Sequence, residues 1–376
     1  MSNSAEKFFE SEPDAATRAK VDVFVKYFGI YFILMDSIRK QYAPNAKIKY
    51  IDLFSGRGFF EWENGSFDST PLQVLNNVYS NNYENVEFYF NELNSKNYNL
   101  LKERVEHDFP SLQNRIHFLN DDARCFEFTK HINSNDITIS LIDPFGYYCL
   151  NKDSINKFTN NKYSDVVCYL NYSHINRYIT NEREQENFKI LFGDRYNDVV
   201  KTLTSGEDNS IDKARFVLSS WIKNINSSSP IKYFLPIFIH STGSASKIES
   251  IVIIVSKDSL GLKRLRGMLK DFEILDGHFY SYINSKASQN NLFSYEDYNN
   301  IYQYIDYDFI NCSLLSDKID KKMIRDYGYL SSYSEEYIKK QLKKMEEQDL
   351  IEIEYHSTRK RKAFTFGDAT YFRRKN

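Results

Sequence analysis

Apolar residues recur at helical spacing between about Lys20 and Lys40, at Val21, Phe24, Val25, Tyr27, Phe28, Tyr31, Phe32, Met35 and Ile38. Such a stripe predicts one amphipathic helix. Residues 1–19 before it are polar and acidic and read as a flexible lead-in. After the break at Tyr42-Ala43-Pro44-Asn45 the period changes. Short, largely apolar runs follow at Ile48–Phe54, Val86–Glu92, Ile116–Leu119, Ile137–Asp143 and Asp165–Asn171, most of them separated by helical segments. Strands apolar on both faces, alternating with helices, predict a mainly parallel sheet covered on both sides. Residues 174–229 read as a helical insertion over the sheet's edge. Lys232–His240 and Ile248–Ser256 then close the sheet as a hairpin. The expected fold over residues 20–290 is therefore α/β, a doubly wound, seven-stranded, mostly parallel Rossmann-like sheet.

Beyond a Ser/Asn-rich link at Asn284–Asn291 the pattern shifts. Residues 300–376 read as three helices and two strands, the order of a small winged-helix domain. Its last helix is placed at Ser334–Gln348 and its hairpin at Leu350–His356 with Lys362–Phe366. Lys339, Lys340, Lys343 and Lys344 lie on that helix and Arg359, Lys360, Arg361 and Lys362 on the wing. In such a domain the helix approaches a nucleic-acid groove and the wing meets phosphate. A solvated helix face in a domain that makes protein contacts is the alternative.

Charge sharpens this picture. The 376-residue chain carries a net charge of only −2, so it is no polycation. The last twenty residues nevertheless hold seven bases against the single acid Asp368, a net of +6, which marks a local phosphate-facing patch or a solvated tail. The 29 Tyr and 29 Phe suit core and boundary packing, with base stacking a minority use. The four cysteines (Cys125, Cys149, Cys168, Cys312) show neither disulfide nor zinc spacing, so reduced thiols and a cytoplasmic location are expected. No run is long and apolar enough to span a membrane.

The candidate chemistry sits at strand ends. Asp52-Leu53-Phe54-Ser55-Gly56-Arg57-Gly58 closes the first strand; glycines there let backbone approach a nucleoside, and Asp52 can bind a cationic group or order the loop. Glu92 closes the second strand, where a carboxylate can accept both ribose hydroxyls. Asp121, Asp122 and Ala123 follow the third, facing the expected adenine edge. Asp143-Pro144-Phe145-Gly146 follows the fourth, beside the expected methyl donor. Four such ends in succession point to one nucleoside cofactor, S-adenosylmethionine. Each also has a plain structural reading, as a turn, a helix cap or a loop. NAD is a minor alternative, because Glu61 stands where the third glycine of the dinucleotide fingerprint belongs. Asp-Pro-x-aromatic turns resemble those of enzymes that methylate exocyclic amines of bases. Here Phe145 directly follows Pro144, and the form Asp-Pro-Phe-Gly is similar to that of tRNA guanine-N2 dimethyltransferases. Asn171 and His174, with Glu61, are weaker site candidates.

Taken in order, several pieces resemble the three-Cys-motif partner (TcmP) family. They are Tyr50–Gly58, Gly65, Ser69-Thr70-Pro71-Leu72, Phe90-Asn91-Glu92, Leu141–Gly146, and Ser256-Lys257 with Gly261. The resemblance covers about residues 20–280 and departs from the family's Gly-Pro-Gly turn at Arg57. It implies a class I methyltransferase fold, S-adenosylmethionine binding and a partner protein bearing a three-cysteine motif. Base methylation on RNA or DNA is the leading expectation. The alternative is a catalytically silent methyltransferase-like module, with a role in phage defence.

Overall fold

The computed structural model describes residues 7–147, 149–206, 210–227, 233–240 and 247–257, together with short segments at 273–274, 279–282, 319–320, 343, 346–349, 351–355 and 370–374. The chain divides into two units, Met1–Met268 and Leu269–Asn376.

The first unit opens with helix α1 (Ala15–Tyr42). It starts five residues before the position that apolar spacing predicts. Asp14, following Pro13, accepts the Thr17 amide at 2.7 Å and so fixes the N-terminus. The lead-in is also more structured than expected from residue 7 onward, because Phe9 is buried. Strand β1 (Ile48–Asp52) follows. Next comes a hairpin, β2 (Phe59–Trp62) and β3 (Gly65–Asp68), joined by a two-residue loop. Glu63-Asn64-Gly65 between aromatic positions is the turn signal that would have revealed it.

Helix α2 (Thr70–Ser80), strand β4 (Val86–Asn91), helix α3 (Ser95–Asp108) and strand β5 (Ile116–Leu119) complete one half of the sheet. Then come α4 (Phe128–His131), β6 (Ile137–Ile142), α5 (Lys152–Phe158) and β7 (Ser164–Leu170). Four helices, α6 (Tyr172–Tyr178), α7 (Gln185–Phe192), α8 (Tyr196–Thr204) and α9 (Ser210–Asn226), lead to β8 (Tyr233–His240) and β9 (Ile248–Ser256).

Within this unit the strand order is β8-β9-β7-β6-β1-β4-β5. β1, β4, β5, β6 and β7 pair in parallel, while β9 runs antiparallel to both β7 and β8. Seven strands with a single reversed strand near one edge fit the Rossmann-like methyltransferase sheet that the sequence leads one to expect. The four helices at residues 172–226 are the crossover that β7 and β8, being parallel, require, and in this they differ from the expected insertion. Trp221 of α9 is fully buried, donates to the Leu150 carbonyl at 2.8 Å and packs edge-on to Phe234 of β8.

Helix α1 covers a face of the sheet. Its Tyr27 and Tyr31 hydroxyls cross to Asp165 and to the Thr138 carbonyl, at 3.0 and 2.8 Å. That satisfies two buried polar groups in an otherwise aromatic contact.

In the second unit, β10 (Glu273–Ile274) pairs antiparallel with β11 (Phe279–Tyr282). A separate sheet has the order β12 (Ile319–Asp320), β14 (Thr370–Arg374), β13 (Ile351–Tyr355), with both pairings antiparallel. β13 pairs with Thr370–Arg374, the register setting Ile351 against Arg374 and Tyr355 against Thr370; the expected partner Lys362–Phe366 lies outside the described residues. The expected helix Ser334–Gln348 falls mostly outside the described residues; Lys343, Glu346 and Glu347 are helical, and Lys343 pairs with Glu347 at 3.9 Å. Lys339, Lys340, Lys344, Arg359, Lys360, Arg361 and Lys362 lie outside the described residues.

Candidate active site

The chain leaves β1 toward β4 on one side and later returns to β6 on the other. This reversal is the topological switch point of the sheet, and a crevice opens there beyond the carboxyl ends of the strands. The register places Asp52 opposite Leu141, so Asp52 and Asp143 flank the crevice from its two sides. A cleft of ≈ 230 Å³ occupies the position, lined by both carboxylates and by residues of α1, β7, β9 and the lead-in.

Asp52 is buried. Its Oδ1 accepts the Phe54 amide and its Oδ2 the Tyr50 hydroxyl, each at 3.1 Å. Burial, reinforced by the charges of Asp143 and Glu92, pushes its pKa up to about 7 against the pull of the Phe54 and Tyr50 hydrogen bonds. The Ser55 hydroxyl turns back onto the Asp52 carbonyl at 3.2 Å.

The turn that follows requires its glycines. Gly56 has φ 62° and Gly58 φ 84°, both left-handed. A Cβ on Gly58 would meet Leu101 at 2.5 Å, and one on Gly56 would meet the Phe9 ring at 2.6 Å. Glu92 closes the turn from the neighbouring strand, its Oε2 accepting the Gly56 amide at 2.9 Å and its Oε1 the Asn94 amide at 2.7 Å. Burial raises its pKa.

The four expected strand ends therefore separate into two pairs. Asp52 and Asp143 line the cleft with Phe54, Ser55, Pro144 and Phe145; Glu92, Asp121, Asp122 and Ala123 do not. Glu92 braces the glycine turn and the start of α3. Asp122 caps the turn Ala123–Cys125 through the Arg124 amide and pairs with the Arg124 guanidinium. Asp121 offers its backbone to Asn91. Gly146 closes the Asp143–Gly146 turn outside the lining. His174 bonds Tyr147, and Asn171 both lines the cleft and caps α6 through the His174 amide at 2.9 Å.

Several residues that matter most escape the sequence pattern. Lys20 of α1 forms an ion pair with Asp143 at 2.8 Å and lies over the Tyr169 ring at 4.5 Å. Burial works against its ammonium, but Asp143 and Tyr169 hold its pKa above the ordinary lysine value. Asn91 is buried and lashes three strand ends together, donating to the Leu53 and Asp121 carbonyls at 3.1 and 2.9 Å. Phe8 and Phe9 of the lead-in gather with Phe60 and Phe145 at ring distances of 5.1–6.5 Å. Arg57 holds the Phe9 carbonyl. Phe145 remains 69% exposed beside Asp143, a flat apolar face available for stacking.

Four carboxylates (Asp14, Asp52, Asp143, Glu249) face one ammonium (Lys20) across this lining. The cleft suits a cation.

Comparison with known proteins adds loose structural likenesses. No family model matches the chain, and no curated protein matches it. Among solved structures it is similar to a Legionella pneumophila protein of the DUF519 family (TM-score 0.38, 11% identity, 65% of this chain and 86% of that one). It is also similar to the DszA carbon methyltransferase (0.31, 10%, 59% and 52%). A Staphylococcus aureus protein assigned as a caffeoyl-CoA O-methyltransferase gives comparable values (0.32, 10%, 68% and 90%). Likeness at this level is loose, and the strand order and the cleft carry the functional reading instead.

Among the described residues no helix is long and apolar enough to cross a membrane, and no group of His, Cys, Asp or Glu is arranged to hold a metal ion.

Proposed function

We propose that this chain is an S-adenosylmethionine-dependent methyltransferase acting on an exocyclic amine of a nucleic-acid base. One observation carries the reading: two carboxylates, Asp52 and Asp143, flank the switch point of a doubly wound sheet in a cleft whose charged lining is mostly anionic. The cofactor's sulfonium and ammonium groups fit that donor set, with Asp52 and the glycine turn as their holders. When bound, the cofactor supplies the methyl group. Asp143 accepts a hydrogen bond from the acceptor amine and Phe145 stacks on its ring, so the protein's contribution is alignment. A base in a duplex would first leave the stack.

The test is transfer of labelled methyl to total tRNA, rRNA and DNA. Wild type is expected to label one pool. Asp143→Ala is expected to lose at least about 100-fold in rate while cofactor affinity stays within about threefold. Binding without transfer to any pool would favour the silent-module reading, which the Lys20–Asp143 pairing also supports.

Phe9 supplies a second test. Its ring fills the space that Gly56 leaves open, where the nucleoside is expected to approach. Displacing a buried Phe costs about 1.5–3 kcal/mol, so Phe9→Ala is expected to tighten cofactor binding about tenfold or more, read by calorimetry. An unchanged or weaker affinity would place the nucleoside elsewhere.

The order β12-β14-β13, with Arg359–Lys362 on the connection between β13 and β14, supports a winged-helix reading of the second unit. Lys339, Lys340, Lys343 and Lys344 then belong to the nucleic-acid contact. A partner protein with a three-cysteine motif remains a proposal from the sequence resemblance.

A further inference from the structure

We propose that Lys20 and Asp143 together read the Watson–Crick edge of the acceptor base, and that they select an amino group whose neighbour on that edge is an unprotonated ring nitrogen, as in adenine or cytosine, over the amino group of guanine. This rests on the base-methyltransferase reading above and narrows it.

The two side chains come from distant parts of the chain and meet in the cleft at 2.8 Å. Both keep some exposure there, 15% for Lys20 and 20% for Asp143. One group is a donor and the other an acceptor, and they are close enough to meet adjacent atoms on one ring edge. A carboxylate only accepts; an ammonium carries three N–H donors, of which Asp143 takes one. A flipped base is read along its Watson–Crick edge. In adenine and cytosine that edge sets an N–H donor next to a ring nitrogen with a free lone pair. The amine then meets Asp143 and the ring nitrogen meets Lys20.

On the same edge guanine sets its amine next to the ring N1–H, so two donors stand side by side; its lone-pair nitrogen, N3, flanks the amine on the opposite side, beside the sugar and off that edge. Two donors would suit a carboxylate alone. Here the second of them would face the Lys20 ammonium and leave a donor opposed to a donor, which desolvation makes costly. The Asp-Pro-Phe-Gly form by itself is similar to a guanine-modifying motif; the lysine brought in by α1 is what changes the expectation. Phe145, exposed next to Asp143, offers its ring face to either class of base, so the hydrogen-bonding pair must discriminate.

The experiment uses the full chain, labelled S-adenosylmethionine, and single-stranded RNA and DNA oligonucleotides made of uridine or thymidine with one adenine, cytosine or guanine. The expected result is labelling of the adenine or cytosine oligonucleotide at least tenfold above the guanine one. Lys20→Met is expected to lower kcat/KM on the preferred base 10- to 100-fold, with cofactor affinity within threefold of wild type. Lys20→Arg, which keeps the donors, is expected to recover part of that loss. A thermal melt of each variant checks folding, and if Lys20→Met does not fold, the base preference of the wild-type chain decides alone.

Equal or greater labelling of the guanine oligonucleotide, or a Lys20→Met enzyme as active as wild type, overturns the proposal and leaves the methyltransferase reading standing. Cofactor binding with no labelling of any oligonucleotide or natural pool overturns both.

Discussion

Asp52→Asn is expected to weaken S-adenosylmethionine binding about 100-fold and, in the same protein, to raise the melting temperature of the unliganded form at pH 8. The loss of affinity follows from removing a charged acceptor from a buried site, where hydrogen bonds to charged groups are worth about 1.5–3 kcal/mol. The gain in stability follows from the raised pKa. An ordinary aspartate ionises near 3.8, whereas burial and the neighbouring acids push Asp52 up to about 7 in the folded chain.

Below about pH 4 the carboxyl is protonated in both the folded and unfolded states and costs nothing. Between about pH 4 and 7 the unfolded chain ionises first, so the wild-type protein loses stability as pH rises. Above about pH 7 the loss is complete, on the order of 4 kcal/mol for a rise of about three units at about 1.4 kcal/mol per unit. The side-chain amide introduced by Asp52→Asn is neutral throughout and can still accept from Phe54. The stability difference should therefore be full at pH 8 and vanish near pH 4.

Cofactor binding should run the other way in wild type. The cation needs the ionised carboxylate, so affinity should rise up to about tenfold per pH unit on approaching pH 7 and level off above it. A variant that binds as tightly as wild type, or melts lower at pH 8, would remove Asp52 from the role given to it.

Gly58→Ala is expected to destabilise the first unit by about 2–5 kcal/mol, measured by denaturant unfolding. The left-handed φ of 84° costs an L residue about 1–2 kcal/mol. The new methyl also points at the buried Leu101 side chain, 2.5 Å away, and overpacking of this kind costs about 1–3 kcal/mol. Gly56→Ala should cost less, because the ring it meets belongs to the lead-in segment rather than to α3. If Gly58→Ala unfolds at the wild-type denaturant concentration, the turn is not constrained as described.

These two positions were legible in the sequence for a simple reason. A parallel strand buried on both faces reads as an apolar run, and a backbone bend that needs positive φ reads as glycine. Strand ends, the Asp52–Gly58 turn and the Asp143–Phe145 turn all have such local signatures, and the structure sets Asp52 and Asp143 across one cleft. Glu92 and Asp122 had the same kind of signature, but their carboxylates stand outside the cleft lining and bond backbone amides: Glu92 braces Gly56 and Asn94, and Asp122 caps a turn. A lone acid after a strand has the same appearance whether it faces a ligand or an amide.

What the amino-acid order determined, then, is the succession of strands, the glycine turn, the acid at each strand tip and the basic C-terminal stretch, because each depends on neighbours a few residues away. Only the folded chain decided that β9 slips between β7 and β8, that β13 pairs with residues 370–374, and that Phe9 packs onto Gly56. It alone decided that Lys20 meets Asp143. That contact joins residues far apart in sequence, and its existence depends on how a helix lies across a sheet. Periodicity shows which face of α1 is apolar, but not which polar residue at its start will reach a carboxylate just beyond the end of β6.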